Sequence, residues 1–288
     1  YYNLSLILMT SNRRREVAQR IFRITDVAAE TEAMKTTITE YKDIPLISYE
    51  DTPIVSLEKA VEPLISMLPD ILRKANEAKA ECKNPPADGL TLDESASIRL
   101  YSMEWQPRNE CLYVALNSTL RLKAKDKLKP WFRYVKLFLS ALERLPSKHR
   151  TVYRGVKIDL HKEYKKGETT VWWAFSSCTA SIGVLNKEIF LGQKGDRTMF
   201  AIECDTVKHI RNHSRFPGED EMLIIAGTQF KIIDSLDQGN NLHMVQLEEE
   251  KSMEAHLQQL FSSASQLSTG KTMTTASNRI NVLLFKIL

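Results

Sequence analysis

Leu142-Glu143-Arg144-Leu145-Pro146-Ser147-Lys148-His149-Arg150-Thr151-Val152-Tyr153-Arg154-Gly155-Val156 is where one pattern of residues gives way to another. Upstream, Trp131, Tyr134, Val135, Phe138, Leu142 and Leu145 recur at helical spacing behind Pro130, and Pro146 cannot continue a helix. Downstream, from about residue 150, strand-like runs take over, bounded by Gly, Asn, Asp or Ser. Helices first and strands after predict an α+β fold and not an alternating parallel one.

Working back from Pro130, a helix is expected over about 109–122 with Leu112, Ala115, Leu116, Thr119 and Leu120 inward. Thr91-Leu92-Asp93-Glu94 fits a capping box, so another helix runs from there to about Trp105, burying Ile98, Tyr101 and Trp105. A helical region over about 55–81 is split by Pro63 and Pro69, and a further helix is expected over 13–35. Working forward from Pro146, strands are expected at 151–157, 171–177, 198–204, 207–212, 222–226, 229–234 and 242–247, with one helix at about 182–191. Residues 251–288 lose the pattern, and their Ser- and Thr-rich stretch 262–278 reads as mobile.

The 288 residues, 43% hydrophobic and 26% charged, suit a soluble chain of one large or two small domains. A net charge of +4 makes no case for nucleic-acid binding, and Arg13-Arg14-Arg15 reads as a solvated face. No run reaches the ~20 apolar residues of a membrane span. Leu4 to Met9 is too short for one and lacks the flanks of a signal peptide. The chain opens on Tyr1, so either Met9 is a natural start or the sequence is a fragment. Cys82, Cys111, Cys178 and Cys204 match no zinc or disulfide spacing, which favours reduced thiols and a cytoplasmic setting, with secretion as the alternative. His209 and His213 lack the Glu of a zinc-peptidase motif and read as a surface pair. Gly270-Lys271-Thr272 lacks the first glycine and the preceding strand of a phosphate loop.

Three features of the strand-rich half carry chemistry. Alternation puts Arg154 on one face with Val152 and Val156, where a buried guanidinium needs a partner. A phosphate suits it, and so does a neighbouring carboxylate. Gly155 would let a ligand approach the backbone. Trp172-Trp173-Ala174-Phe175-Ser176-Ser177-Cys178-Thr179 reads as a flat pocket wall with hydroxyls at its rim, or as an aromatic core strand ending in a turn. In Pro217-Gly218-Glu219-Asp220-Glu221-Met222-Leu223-Ile224-Ile225, Gly218 would turn the chain into a buried strand, and extended alternation would set Glu219 and Glu221 on one face. A solvated acidic turn explains the same string.

The order of Arg154, Ser177 and Glu219-Asp220-Glu221 resembles the R-S-E pattern of the arginine-specific mono-ADP-ribosyltransferases, rotifer-like members in particular. Tyr113-Val114-Ala115-Leu116-Asn117-Ser118-Thr119-Leu120-Arg121 is similar to that family's upstream helix motif. Phe175-Ser176-Ser177-Cys178-Thr179 stands where the family has Phe-x-Ser-Thr-Ser, with Cys178 and Thr179 as departures. Glu221-Met222-Leu223-Ile224 and Gly227-Thr228-Gln229-Phe230 resemble its Glu strand and the strand after it.

The resemblance implies helices packed on a mixed, split β-sandwich, with residues 90–250 as the catalytic domain, 1–89 as a helical extension and 251–288 as a tail. It implies transfer of ADP-ribose from NAD or NADP, as co-substrate and without a metal, to an arginine of a target protein. An NAD glycohydrolase and a non-catalytic NAD- or protein-binding module are the alternatives. The catalytic set implied is Arg154, Ser177, Glu219 and Glu221. Arg154, Gly155, Phe175, Ser177, Glu221, Asn117 and Arg121 are implied to hold the dinucleotide. Residues 213–220 would meet the target, and nothing in the sequence bears on oligomeric state.

Overall fold

The computed structural model describes residues 52–122, 125–185 and 191–250. The helix expected over 13–35, its arginine cluster, the Leu4–Met9 run and the tail lie outside the described residues, as does most of the second half of the helix expected over 182–191.

The helices come first. Leu57–Val61 (α1) runs into a 3-10 turn at Pro63, and Ile71–Ala80 (α2) restarts after Pro69, so the prolines split this region as expected. Leu92–Ser102 (α3) begins with a complete capping box. The Glu94 amide donates to Thr91 Oγ1, and the Glu94 carboxylate accepts from the Thr91 amide. Burial works to raise the Glu94 carboxyl, but the Thr91 hydrogen bonds and the Arg144 charge outweigh it and hold it below the usual range. Leu112–Arg121 (α4) follows, and Phe132–Arg144 (α5) buries Tyr134, Val135, Leu137, Phe138, Leu139, Ala141 and Leu142 along one stripe. A single turn, Ile182–Leu185 (α6), interrupts the strands.

Eight strands follow Pro146: Arg150–Val156 (β1), Thr169–Trp172 (β2), Ser176–Thr179 (β3), Arg197–Cys204 (β4), Lys208–His209 (β5), Glu221–Ile224 (β6), Thr228–Asp237 (β7) and Leu242–Glu249 (β8). They pair in the order β2-β7-β8-β4-β1-β3-β6-β5, antiparallel except for β4 with β8. The ladder is thin at one point, where β1 and β3 share the single pair Tyr153–Thr179. A flat sheet would put β2 five strand spacings, roughly 24 Å, from β3. Yet Trp172 to Ser176 is only four Cα steps, at most roughly 14 Å. The sheet must therefore fold over on itself, which is the split sandwich implied by the family resemblance.

Two cores result. Val152, Phe200, Ile202, Met222, Ile224, Phe230, Val245 and Leu247 fill the inside of the sandwich with Trp172. The helices share the other core with Trp173, Phe175, Ile210, Leu223 and Ile225. Successive residues on β6, Met222, Leu223 and Ile224, thus alternate between the cores. The helical core takes in α1 and α2 together with α3, α4 and α5, so the packing shows no boundary at residue 90.

Two expected strands are corrected. The run 171–177 is two strands separated by 173–175, because the backbone of Phe175 is hydrogen-bonded by the Asn117 side chain and leaves the first ladder. The run 207–212 pairs only at Lys208 and His209 before a turn closes on Ile210 through the amides of His213 and Ser214.

Candidate active site

Glu221 opens β6 and is paired across the ladder with Thr179 on β3. Two residues earlier on β3, Ser177 lies on the same face, so the two side chains meet. Ser177 Oγ donates to Glu221 Oε1 at 2.6 Å, with Ser177 3% and Glu221 1% exposed. A hydroxyl donating to a carboxylate is among the stronger hydrogen bonds and fixes which way the carboxylate faces.

Arg154 sits on β1 where that strand parts from β3. It is 1% exposed and shares a face with Val152 and Val156, and its Nη1 donates to the Ser177 carbonyl at 2.7 Å. The guanidinium thus ties β1 to β3 at the residue that orients Glu221, across a seam with a single ladder pair.

Asn117 projects from α4, 7% exposed, and its amide matches the backbone of Phe175. Oδ1 accepts from the Phe175 amide and Nδ2 donates to the Phe175 carbonyl, both at 3.1 Å. Tyr101 Oη adds a bond to the same carbonyl. The Phe175 ring is 1% exposed and packs edge-on against Phe138 and Tyr101, at 5.0 and 5.9 Å between centroids. Asn117 and Phe175 therefore set where β3 begins. Gly155 is also buried, and a Cβ there would meet Leu191 Cδ1 at 3.0 Å and Cβ at 3.1 Å, so in this structure the close neighbour at Gly155 is Leu191. Arg121, at the end of α4, lines a narrow cleft with Tyr164, Thr170, Trp172, Trp173 and Ser176.

Glu219 lies in the 3-10 turn Pro217–Glu219, and Asp220 follows with φ of 51°, in the left-handed region. The chain is not extended from Glu219 to Glu221, so the face-sharing rule does not carry across that step. The residue that turns the chain is Asp220 and not Gly218. Asp tolerates this conformation better than most side chains, and its carboxylate is held by His209 Nε2 at 2.8 Å and Arg211 at 3.5 Å.

The segment before that turn is anchored to the helices. His213, expected at the surface, is 2% exposed; its Nδ1 lies 2.9 Å from Ser95 Oγ and its Nε2 3.0 Å from Asp88 Oδ2. Burial pushes the imidazole below its ordinary pKa, and Asp88 offsets only part of that. Asp88 is held below the usual carboxylate range, first by the Asn212 hydrogen bond. The Arg215 amide donates to Ser102 Oγ at 2.6 Å, and Arg99 donates to the Ser214 carbonyl. Tyr101, His213 and Asp88 were not singled out as positioning residues from the sequence. The signal available for Tyr101 was its place on the same inward stripe as Ile98.

No disulfide joins the four cysteines. Among the described residues no helix is long and apolar enough to cross a membrane.

A family model described as NAD:arginine ADP-ribosyltransferase matches residues 58–255. The curated Mycobacterium avium (strain 104) relative Mav, whose name assigns it as an NAD(+)–arginine ADP-ribosyltransferase, is 31% identical over 123 residues. That match covers 42% of this chain and 14% of the relative, so the chain spans a small part of that relative's length. Among solved structures, the eukaryotic mono-ADP-ribosyltransferase ART2.2 superposes with a TM-score of 0.53 at 19% identity, covering 76% of this chain and 95% of that one. A mutant of ART2.2 in complex with NADH gives 0.54 at 18% identity, covering 73% and 92%. The likeness to both structures establishes the fold, and the family model, which spans more than half of the chain, shows that it belongs to the NAD:arginine ADP-ribosyltransferase family.

Proposed function

We propose that the chain transfers ADP-ribose from NAD or NADP to an arginine side chain of a target protein and releases nicotinamide. The observation that carries this reading is the buried Ser177–Glu221 hydrogen bond at 2.6 Å, held in place by Arg154 on the Ser177 carbonyl. The bond between the ribose and the nicotinamide nitrogen breaks with its electron pair leaving on nicotinamide, and the sugar becomes cationic. A fixed carboxylate stabilises such a cation where solvent is excluded. Glu221 supplies that charge, and Ser177 keeps it aimed.

Arg121 lies in a cleft beside Ser176, and with Arg154 it supplies positive charge suited to a diphosphate. Asn117, Phe175 and Gly155 act by setting the place of β3 and β1. A guanidinium is protonated at neutral pH and a poor nucleophile. Glu219 takes its proton as the new carbon–nitrogen bond forms. The acceptor approaches over residues 213–220.

The test is incubation with labelled NAD and agmatine. Glu221→Gln is expected to lose both transfer and nicotinamide release by at least about 100-fold, the scale of losing a transition-state electrostatic contact. Glu219→Gln is expected to lose transfer to agmatine while keeping NAD cleavage. Full transfer by the Glu221 variant would sink the assignment. Nicotinamide release by the native chain without agmatine labelling would replace it with NAD hydrolysis.

A further inference from the structure

Outside the Ser177–Glu221 site, the loop after β1 and the start of β8 bring two imidazoles onto one carboxylate. His161 Nδ1 is 2.5 Å from Asp159 Oδ1, and His243 Nε2 is 3.6 Å from Asp159 Oδ2. The two rings stack with centroids 4.2 Å apart and planes at 19°. One potential ligand atom from each of the three residues lies within 4.8 Å of the others. The second nitrogen of His243, Nδ1, is buried without a hydrogen bond, and Asp237 Oδ1 stands 4.0 Å from it, as its cross-strand partner on β7.

We propose that Asp159, His161 and His243 form a binding site for a zinc-like divalent cation that clamps the loop after β1 onto β8. Two imidazole nitrogens and one carboxylate are the donor set of borderline metals such as zinc, cobalt or nickel, and not of magnesium or calcium, which take oxygen. Tetrahedral coordination with bonds of about 2.1 Å places ligand atoms about 3.4 Å apart. His161 Nδ1 and His243 Nε2 approach different oxygens of Asp159, at 2.5 and 3.6 Å, so coordination through one oxygen needs the His161 ring to swing out by about 1 Å and the carboxylate to turn toward His243. The fourth position opens to water, since the Asp159 and His161 side chains are 32% and 36% exposed.

Asp237 completes the pattern. A metal-bound imidazole usually donates its other N–H to a carboxylate, and Asp237 Oδ1 stands 4.0 Å from Nδ1 of His243, close enough to be reached by a small side-chain movement. The loop is already docked there: the Leu160 amide donates to Thr198 Oγ1, and Thr198 is paired with His243 across β4 and β8. His243 is four strands from Glu221 in the order of the ladder. The site is assigned a stabilising role, separate from the transfer reaction.

The experiment uses the full chain, stripped with a chelator and titrated with Co²⁺, then with Zn²⁺ in competition. One equivalent of saturable binding is expected, with the visible absorption of four-coordinate cobalt and a melting temperature raised by metal. His161→Ala and His243→Ala should each weaken binding at least tenfold. Asp237→Asn should weaken it about 10- to 100-fold, as outer-shell carboxylates do. All three variants keep the native circular dichroism if only the ligands are lost, and the native chain's cobalt spectrum stands as a readout independent of them. Absence of saturable binding, or binding indifferent to His161→Ala and His243→Ala, overturns the proposal and leaves two imidazoles sharing a carboxylate without a cation.

Discussion

At the scale of the residue, the site is a set of side chains that hold backbone, with one carboxylate at its centre. Arg154, Ser177 and Glu221 were legible as candidates through their order along the chain, since a charge between valines, a hydroxyl after aromatics and an acid before an apolar run each have a purely structural reading alone. What they do to one another was not, because alternation says which face a side chain takes and not how far it reaches. Gly155 illustrates this. From the sequence it reads as room for a ligand, whereas in the structure the space belongs to Leu191, with 3.0 and 3.1 Å between its atoms and a built Cβ. Leu191 Cβ cannot rotate away, so Gly155→Ala is expected to cost ~1–3 kcal/mol of stability through overpacking. Removing Leu191 Cδ1 relieves part of that clash, so Gly155→Ala with Leu191→Ala should lose less than the two single changes added together. Urea denaturation of the four proteins measures this. A neutral Gly155→Ala, or strict additivity, would show that the strand and Leu191 yield without cost.

At the scale of the element, the start of α3 and the break after Pro69 were legible because capping and proline effects are local in sequence. The break at 173–175 and the turn at Asp220 were not, since the first is set by Asn117, far along the chain, and the second by the side chains of His209 and Arg211, which no periodic pattern marks. The segment 210–216 is another such element, fixed by Ser95, Asp88, Ser102 and Arg99. His213 gives it a pH dependence. Its folded-state pKa is depressed, first by burial, so the unfolded chain binds that proton more readily. Between the depressed value and the ordinary one of about 6.5, the unfolded state carries more protons and stability rises with pH. Acidification below about pH 6.5 is therefore expected to destabilise the protein. The depressed carboxyl of Asp88 acts only below about pH 3.9, outside this window. Chemical denaturation from pH 7 to pH 5 should show the loss, and His213→Gln should flatten it. An unchanged slope in the variant would remove His213 from the account.

At the scale of the whole molecule, the α+β class was readable from the change of pattern at Pro146, whereas the extent of the domain was not. Motifs mark the residues that do chemistry, so a boundary drawn from motifs falls at the first motif, near residue 90. Packing draws it earlier. Leu57, Val61, Leu64, Leu68 and Ile71 are each 0–2% exposed and belong to the core that also holds Phe138, Phe175 and Leu223. The family model, which begins at residue 58, follows the same limit. The helices before residue 90 thus support the layer against which Phe175 fixes the start of β3. Burying a large apolar side chain is worth ~1.5–3 kcal/mol, so these residues together contribute on the order of 10 kcal/mol. That matches the roughly 5–15 kcal/mol by which a whole domain is stable. A chain truncated to begin at Leu90 is accordingly expected to lose cooperative unfolding and near-ultraviolet circular dichroism, and with them the aim of Glu221. A chain beginning at Thr52 is expected to keep both. A cooperative thermal transition in the Leu90 form, within a few degrees of the longer one, would mean that the helices before it are an appendage and that the domain's core is complete without them.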